Sequence, residues 1–296
     1  MDRILEFPTE DGITLRALVS GLVDGPRLIL SHGNGLAIGG YENYWALLKS
    51  DFQLVLLDMR SHGKSDVSHL QAHTWAQFEQ DLEVCLHGIE AALGPSPSVG
   101  VFHSLSAVIA LGHLKKYQPR WMGLLLFDPP LMPPVESSYR NAHVEEMLNL
   151  ADRVRRRQSC FETPDELAEI FRRSRALAKW TDKACSDMAR AILRESDDGK
   201  SWCLVCPPAH EAQIFESNAD ESLWTLFDGL EMPLKLVCAD PDVPGVQPSA
   251  YSTRELAQSF NLAHEAVPDS THFLQLEYPA ECARITKNFC AGLFAR

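Results

Sequence analysis

The feature that most constrains this chain is an alternation of short apolar runs with segments of helical period. The runs are "RILEF", "ITLRALV", "RLILSHG", "FQLVLLD", "SVGVF", "MGLLLFD" and "LKLVCAD", with a last one near "HEAVP". Between them stand "YENYWALLKS", "TWAQFEQDLEVCLHGIEAAL", "SAVIALGHLKKY", "STRELAQSF" and "PAECARITKNFCAGLF". Short aliphatic runs bounded by turn residues read as buried strands, and strands joined through helices form a mostly parallel sheet. The pattern therefore predicts an α/β protein with an eight-stranded, mostly parallel sheet and flanking helices. Thr74, followed three residues later by Gln77, marks the second helix start as a capping box.

The alternation stops between Leu131 and Gly229, where no strand pattern stands out. "PPLMPP" stiffens the exit from the sixth run, and "DGLEMP" leads back into the seventh. Within this stretch Thr163, Pro164 and Glu166 supply an N-cap, a first-turn proline and an N3 carboxylate in succession. The expected organisation is a core of residues 1–130 and 230–296, with an all-helical cap at 131–229 inserted between two strands.

A chain of 296 residues with 45% apolar content is long enough for one large core plus a small accessory unit. The net charge of −13 argues against nucleic acid as a partner, because phosphate binding needs a basic surface. No window approaches the roughly 20 apolar residues of a membrane span. The first residues, "MDRILEFPTEDG", turn polar too early for a signal peptide, so a cytoplasmic location is expected. The eight scattered cysteines read as reduced core residues. Cys203 and Cys206 lack a second pair, and His69 and His73 lack the glutamate of a zinc helix, so no metal is expected. No phosphate loop, dinucleotide fingerprint or haem motif is present, and no cofactor is expected. The partner is a small-molecule substrate; a homodimer is left open.

Four stretches carry chemistry. "VGVFHSLSAVIAL" holds Ser104 between an apolar run and a helix, with Phe102 and Ser106 where a G-x-S-x-G elbow has glycines. "LILSHGNG" offers a glycine-rich turn after the third run, and "LVLLDMRSHGKSD" a turn after the fourth. "VPDSTHFLQLEYP" places His272 late in the chain, before a helix start. In this order and spacing the four stretches resemble the α/β-hydrolase fold superfamily with a helical cap, over nearly the whole chain.

That resemblance implies a serine hydrolase that cleaves a carboxylic ester, or a thioester or lactone, of a small to medium apolar substrate through an acyl-enzyme. A C–C bond hydrolase, a cofactor-free lyase or a non-catalytic binding protein on the same scaffold are the alternatives. Ser104 would be the nucleophile and His272 the base. Asp242, after "LKLVCAD", is the expected acid, with Asp128 and Asp240 as competitors. The backbone N–H groups of Asn34 and Leu105 would form the oxyanion hole. Arg60, His62 and Ser65 would hold the turn after the fourth strand, and His103 would face away from the site. The cap would supply apolar side chains such as Met147, Phe171, Trp180, Phe215 and Trp224. Seven of its arginines, crowded into "RVRRRQ" and "FRRSR", would form a solvated face or meet an anionic group.

Overall fold

The computed structural model describes residues 2–217 and 220–295. In chain order its strands are β1 (Arg3–Pro8), β2 (Thr14–Gly21), β3 (Arg27–Leu30), β4 (Gln53–Asp58), β5 (Ser98–His103), β6 (Trp121–Phe127), β7 (Cys160–Phe161), β8 (Leu193–Glu195), β9 (Trp202–Leu204), β10 (Leu234–Cys238) and β11 (Ala263–Ala266). The eight apolar runs become one sheet in the order β1-β2-β4-β3-β5-β6-β10-β11. β2 pairs antiparallel with β1 and β4, and every other pairing is parallel.

The central strands β3, β4 and β5 are buried at every position, which is why they read as unbroken apolar runs. Neighbouring residues point to opposite faces. Leu28, Leu54 and Val99 pack into one cluster with Tyr44 and Ile285, whereas Ile29, Val55 and Phe102 pack into another with Phe78 and Val108. The helix Trp75–Leu93 starts as the capping box requires, Thr74 Oγ1 accepting from the Gln77 N–H at 3.3 Å.

Between β6 and β10 the chain forms the helices Arg140–Arg155, Pro164–Arg173, Asp182–Ile192 and Pro208–Ser217, and a 3-10 segment at Glu221–Phe227. Thr163 caps the second of these by accepting from Glu166 N–H at 3.2 Å. The inserted region is helical as expected, with one addition. β7, β9 and β8 form a small antiparallel sheet. Strands of two or three residues carry no periodicity that a sequence pattern reveals.

That small sheet also corrects the reading of the cysteines. Its register sets Cys160 opposite Cys203, and the two form a disulfide. They are 43 residues apart, so their spacing gave no sign of the pairing. The other six cysteines are free and buried, as expected of small apolar core residues. Among the described residues no helix is long and apolar enough to cross a membrane.

Candidate active site

Ser104 sits between the end of β5 and the start of the helix Leu105–Lys116, at φ 54° and ψ −120°. A non-glycine residue at positive φ is strained, and such strain persists only where neighbours enforce it. Here the Ser104 N–H donates to Phe127 O at 2.9 Å, tying the elbow to the end of β6. The two departures from glycine have separate solutions. Phe102 points into the core edge-on to Trp121, centroids 5.5 Å apart, and Gly100 makes room for its ring. A Cβ on Gly100 would lie 2.5 Å from Phe102 Cε2. Ser106 locks the turn, its hydroxyl donating to His103 O at 2.9 Å and accepting from His103 N–H at 3.0 Å.

His272, on the loop after β11, brings Nε2 to 2.8 Å from Ser104 Oγ. Its Nδ1 lies 2.6 Å from Asp128 Oδ2. With Nδ1–H donating to the carboxylate, Nε2 is left free to accept the serine hydroxyl, the tautomer a base requires. Asp128 follows β6 directly, is fully buried and takes φ 42°. It also accepts from Ser249 Oγ at 2.7 Å and Ala239 N–H at 3.1 Å. Burial alone would raise its pKa, but the bonds from His272, Ser249 and Ala239 outweigh it and hold the carboxyl below its ordinary value.

The acid is thus not where the sequence suggested. Asp242 is exposed, and its N–H donates to Asp240 Oδ1 at 2.9 Å. Asp240 Oδ2 accepts from Asp269 N–H at 2.8 Å, so neither carboxylate bonds His272. The sheet order explains the difference. β6 is the neighbour of β5, so its tip adjoins the elbow, while β10 lies one strand further out. The loop after β10 contributes the Ala239 N–H to Asp128 in place of a carboxylate. The sequence signal was an aspartate ending a buried run just before two prolines.

The turn at residues 33–35 approaches the elbow closely, since a Cβ on Gly33 would lie 3.2 Å from that of Ser104. Gly33 N–H donates to Tyr41 Oη at 3.2 Å, and Gly35 N–H to His62 Nε2 at 3.0 Å. The Asn34 N–H between them has no acceptor among the described residues. Leu105 is the first residue of its helix, so its N–H has no intrahelical acceptor either. His62 Nδ1 donates to Arg60 O at 2.8 Å, and burial keeps the ring neutral, its pKa well below the ordinary value. Arg60 is anchored by Asp81 and Asp11, and Ser65 donates to Asp58 O at 2.6 Å.

One buried chain of hydrogen bonds has no signal in the sequence. His103 Nε2 lies 2.7 Å from His272 O, an acceptor only, so Nε2 carries the proton and Nδ1 accepts. Tyr41 then donates its hydroxyl proton to His103 Nδ1 at 2.7 Å while its oxygen accepts from Gly33 N–H. The chain joins the Gly33 turn to the backbone of His272. Burial keeps His103 neutral, with its pKa lowered to about 3.

Ser104 and His272 open onto a cavity of about 210 Å³. Met147, Phe171, Trp180 and Phe215 of the inserted region line it, whereas Trp224 packs into the core with Phe227.

These features coincide with what comparison finds. Residues 28–285 match the model of an alpha/beta hydrolase family, and the chain belongs to that family. No curated protein gives a significant match. Among solved structures, the chain is similar to E-2-(acetamidomethylene)succinate hydrolase, with 20% identity, a TM-score of 0.75 and coverage of 97% of this chain and 99% of that one. An alpha/beta hydrolase from Novosphingobium aromaticivorans gives 19% identity and a TM-score of 0.74, covering 97% and 98%. A thioesterase domain from the curacin biosynthetic pathway gives 17% and 0.71, covering 96% and 98%. The serine, histidine and aspartate of this chain have the arrangement of a serine hydrolase triad.

Proposed function

We propose that this protein hydrolyses a carboxylic ester, or a thioester or lactone, of a small molecule through an acyl-enzyme on Ser104. The observation that carries the reading is Ser104 at φ 54°, 2.8 Å from a His272 ring that Asp128 holds at 2.6 Å. Ser104 Oγ attacks the carbonyl carbon while His272 Nε2 takes its proton, and Asp128 stabilises the imidazolium. The Asn34 and Leu105 N–H groups, free of internal acceptors, suit the oxyanion that forms. His272 returns the proton to the leaving alcohol or thiol. It then takes one from the water that attacks the acyl-enzyme, releasing the acid and restoring Ser104.

Residues 131–229 act in this reading as a cap whose apolar side chains bound the acyl and alcohol positions. Two structural relatives, a hydrolase of a substituted succinate and a thioesterase domain, have activities that fit acyl transfer to water. The test is fluorophosphonate labelling with peptide mapping, alongside turnover of p-nitrophenyl esters of graded acyl length. The adduct should map to Ser104 and be absent from Ser104→Ala. Labelling elsewhere would overturn the assignment.

A further inference from the structure

The cavity over Ser104 has two walls of different make, and each is tied to a different part of the reacting centre. One is a file of rings that starts at the base. His272 meets Phe273 edge-on with centroids 5.5 Å apart, Phe273 meets Trp180 at 5.1 Å, and Trp180 meets Phe171 at 5.5 Å. Phe273, Trp180 and Phe171 all line the cavity. The file is held to the loop that carries His272. Thr181 N–H donates to Leu276 O at 3.2 Å, and Lys179 Nζ lies 2.5 Å from Asp269 Oδ1. The other wall comes from the helices Arg140–Arg155 and Pro208–Ser217, through Met147, Leu150, Val154 and Ile214. It is tied to the oxyanion turn, because Asn34 Nδ2 donates to Glu211 O at 2.9 Å. Trp75 and Phe215 also line the cavity, but neither joins the file among the described residues.

Neither wall offers a free charge. Histidines apart, Arg157 and Glu211 are the only ionisable side chains among the described residues that line the cavity, and they pair with each other at 2.5 Å. Arg153, Arg155, Arg156 and Arg172 meet Glu146, Glu216, Asp152 and Glu169 on the outside of the protein. Buried His143 is neutral, its pKa lowered to about 4. An ionic group bound here would give up its water without gaining a counter-charge.

The chemistry of the triad assigns the walls. The alkoxide or thiolate expelled from the tetrahedral intermediate takes its proton from His272 Nε2, so the leaving group lies on the His272 side of the scissile carbon. The carbonyl oxygen turns to the Asn34 and Leu105 N–H groups, which leaves the acyl chain towards the other wall. We propose that the substrate is an ester or thioester whose leaving group ends in an uncharged aromatic ring, held by Phe273, Trp180 and Phe171. The inference rests on the serine-hydrolase reading of the same cavity. An incoming ring extends the file by edge-to-face or offset contacts, which add to the area it buries. A saturated ring of the same size buries as much apolar surface but has no quadrupole to match.

The test compares kcat/KM of the full chain for 2-phenylethyl acetate, 2-cyclohexylethyl acetate and acetylcholine. The three share one acyl group, and kcat/KM reports acylation, the step in which the alcohol leaves. The phenyl ester should exceed the cyclohexyl ester about fivefold, and acetylcholine should be the poorest. With the rings moved to the acyl side, methyl 3-phenylpropanoate and methyl 3-cyclohexylpropanoate should agree within about twofold. Trp180→Leu should bring the two alcohol-side esters within about twofold as well. Equal rates on the alcohol side, a ring preference as large on the acyl side, or acetylcholine as the best substrate would overturn the proposal. The unmodified protein decides this even where Trp180→Leu fails to fold. Calorimetric binding of 2-phenylethanol against 2-cyclohexylethanol needs no turnover. Tighter binding of 2-phenylethanol with no fluorophosphonate label at Ser104 would sink the hydrolase reading and leave the ring subsite standing. A label at Ser104 with no ring preference would do the opposite.

Discussion

Two residues decide how well His272 works as a base. Asp128 fixes the imidazole tautomer and stabilises its charged form, so Asp128→Asn should lower kcat by about 10³- to 10⁴-fold. Asp242→Asn should stay within about threefold of the unchanged enzyme, because a surface substitution that touches no base changes little. Paired kinetics on one good ester, with the fold checked by circular dichroism, distinguish the two. A large loss at Asp242 would move the acid back to the loop after β10. Tyr41 acts at one remove. Tyr41→Phe leaves Gly33 N–H and His103 Nδ1 unpaired and frees the turn from the His272 loop. It should lower kcat about tenfold with little change in KM, since the loosened geometry matters most when the oxyanion forms. An unchanged kcat would make the chain a matter of folding alone.

At the scale of elements, what could be read from sequence followed the strength of each pattern. The eight sheet strands and the Thr74 and Thr163 caps each have a local cause, and the structure contains them. Ser104 and His272 were legible because their surroundings are local as well, an elbow and a loop before a helix. The acid was not, because it depends on which strand tip neighbours β5, and several aspartates follow strands. β7, β8 and β9 were invisible for want of length, and with them the Cys160–Cys203 bond. This bond closes a loop of 43 residues, for which chain entropy gives about 4 kcal/mol of stabilisation. Thiol titration in denaturant should therefore find six reactive cysteines before reduction and eight after it. Eight from the start would show that the inserted region folds without the bond. With six, the Cys160→Ser/Cys203→Ser variant should unfold at lower denaturant than the oxidised protein.

For the whole molecule, the number of buried histidines sets the response to acid. Burial lowers the pKa of His32 to about 4, His103 to about 3, His143 to about 4 and His73 to about 2, and lowers His62 and His113 as well. In the unfolded chain each titrates near 6.5. Below that pH the unfolded state holds protons that the native state lacks, so stability must fall as pH falls from 7 towards 4. Each histidine adds a slope of up to about 1.4 kcal/mol per pH unit. Asp58 opposes them. Burial raises its pKa to about 6, so between about 4 and 6 the native state holds a proton that the unfolded chain has released. Burial raises Glu79, Asp81, Glu211 and Glu277 in the same sense, so urea unfolding between pH 7 and 5 should show a net uptake of protons smaller than the six histidines alone would give.

His73 isolates the effect. Both its ring nitrogens are buried with no hydrogen-bond partner among the described residues, and the ring packs 4.9 Å from Phe78 and from His210. An imidazole so placed contributes shape and apolar contact while retaining the cost of two unpaired polar atoms. Phenylalanine keeps the ring and removes that cost, along with one proton taken up on unfolding. His73→Phe should therefore unfold at higher urea than the unchanged protein, with a margin that widens as pH drops from 7 to 5. Its slope of stability against pH should be smaller by close to one proton. A margin that stays constant with pH would mean that His73 takes up its proton alike in the folded and unfolded states. Its neighbours His62 and His210 would then need a new account, since a charged ring between them would have to find an anion within this cluster of imidazoles.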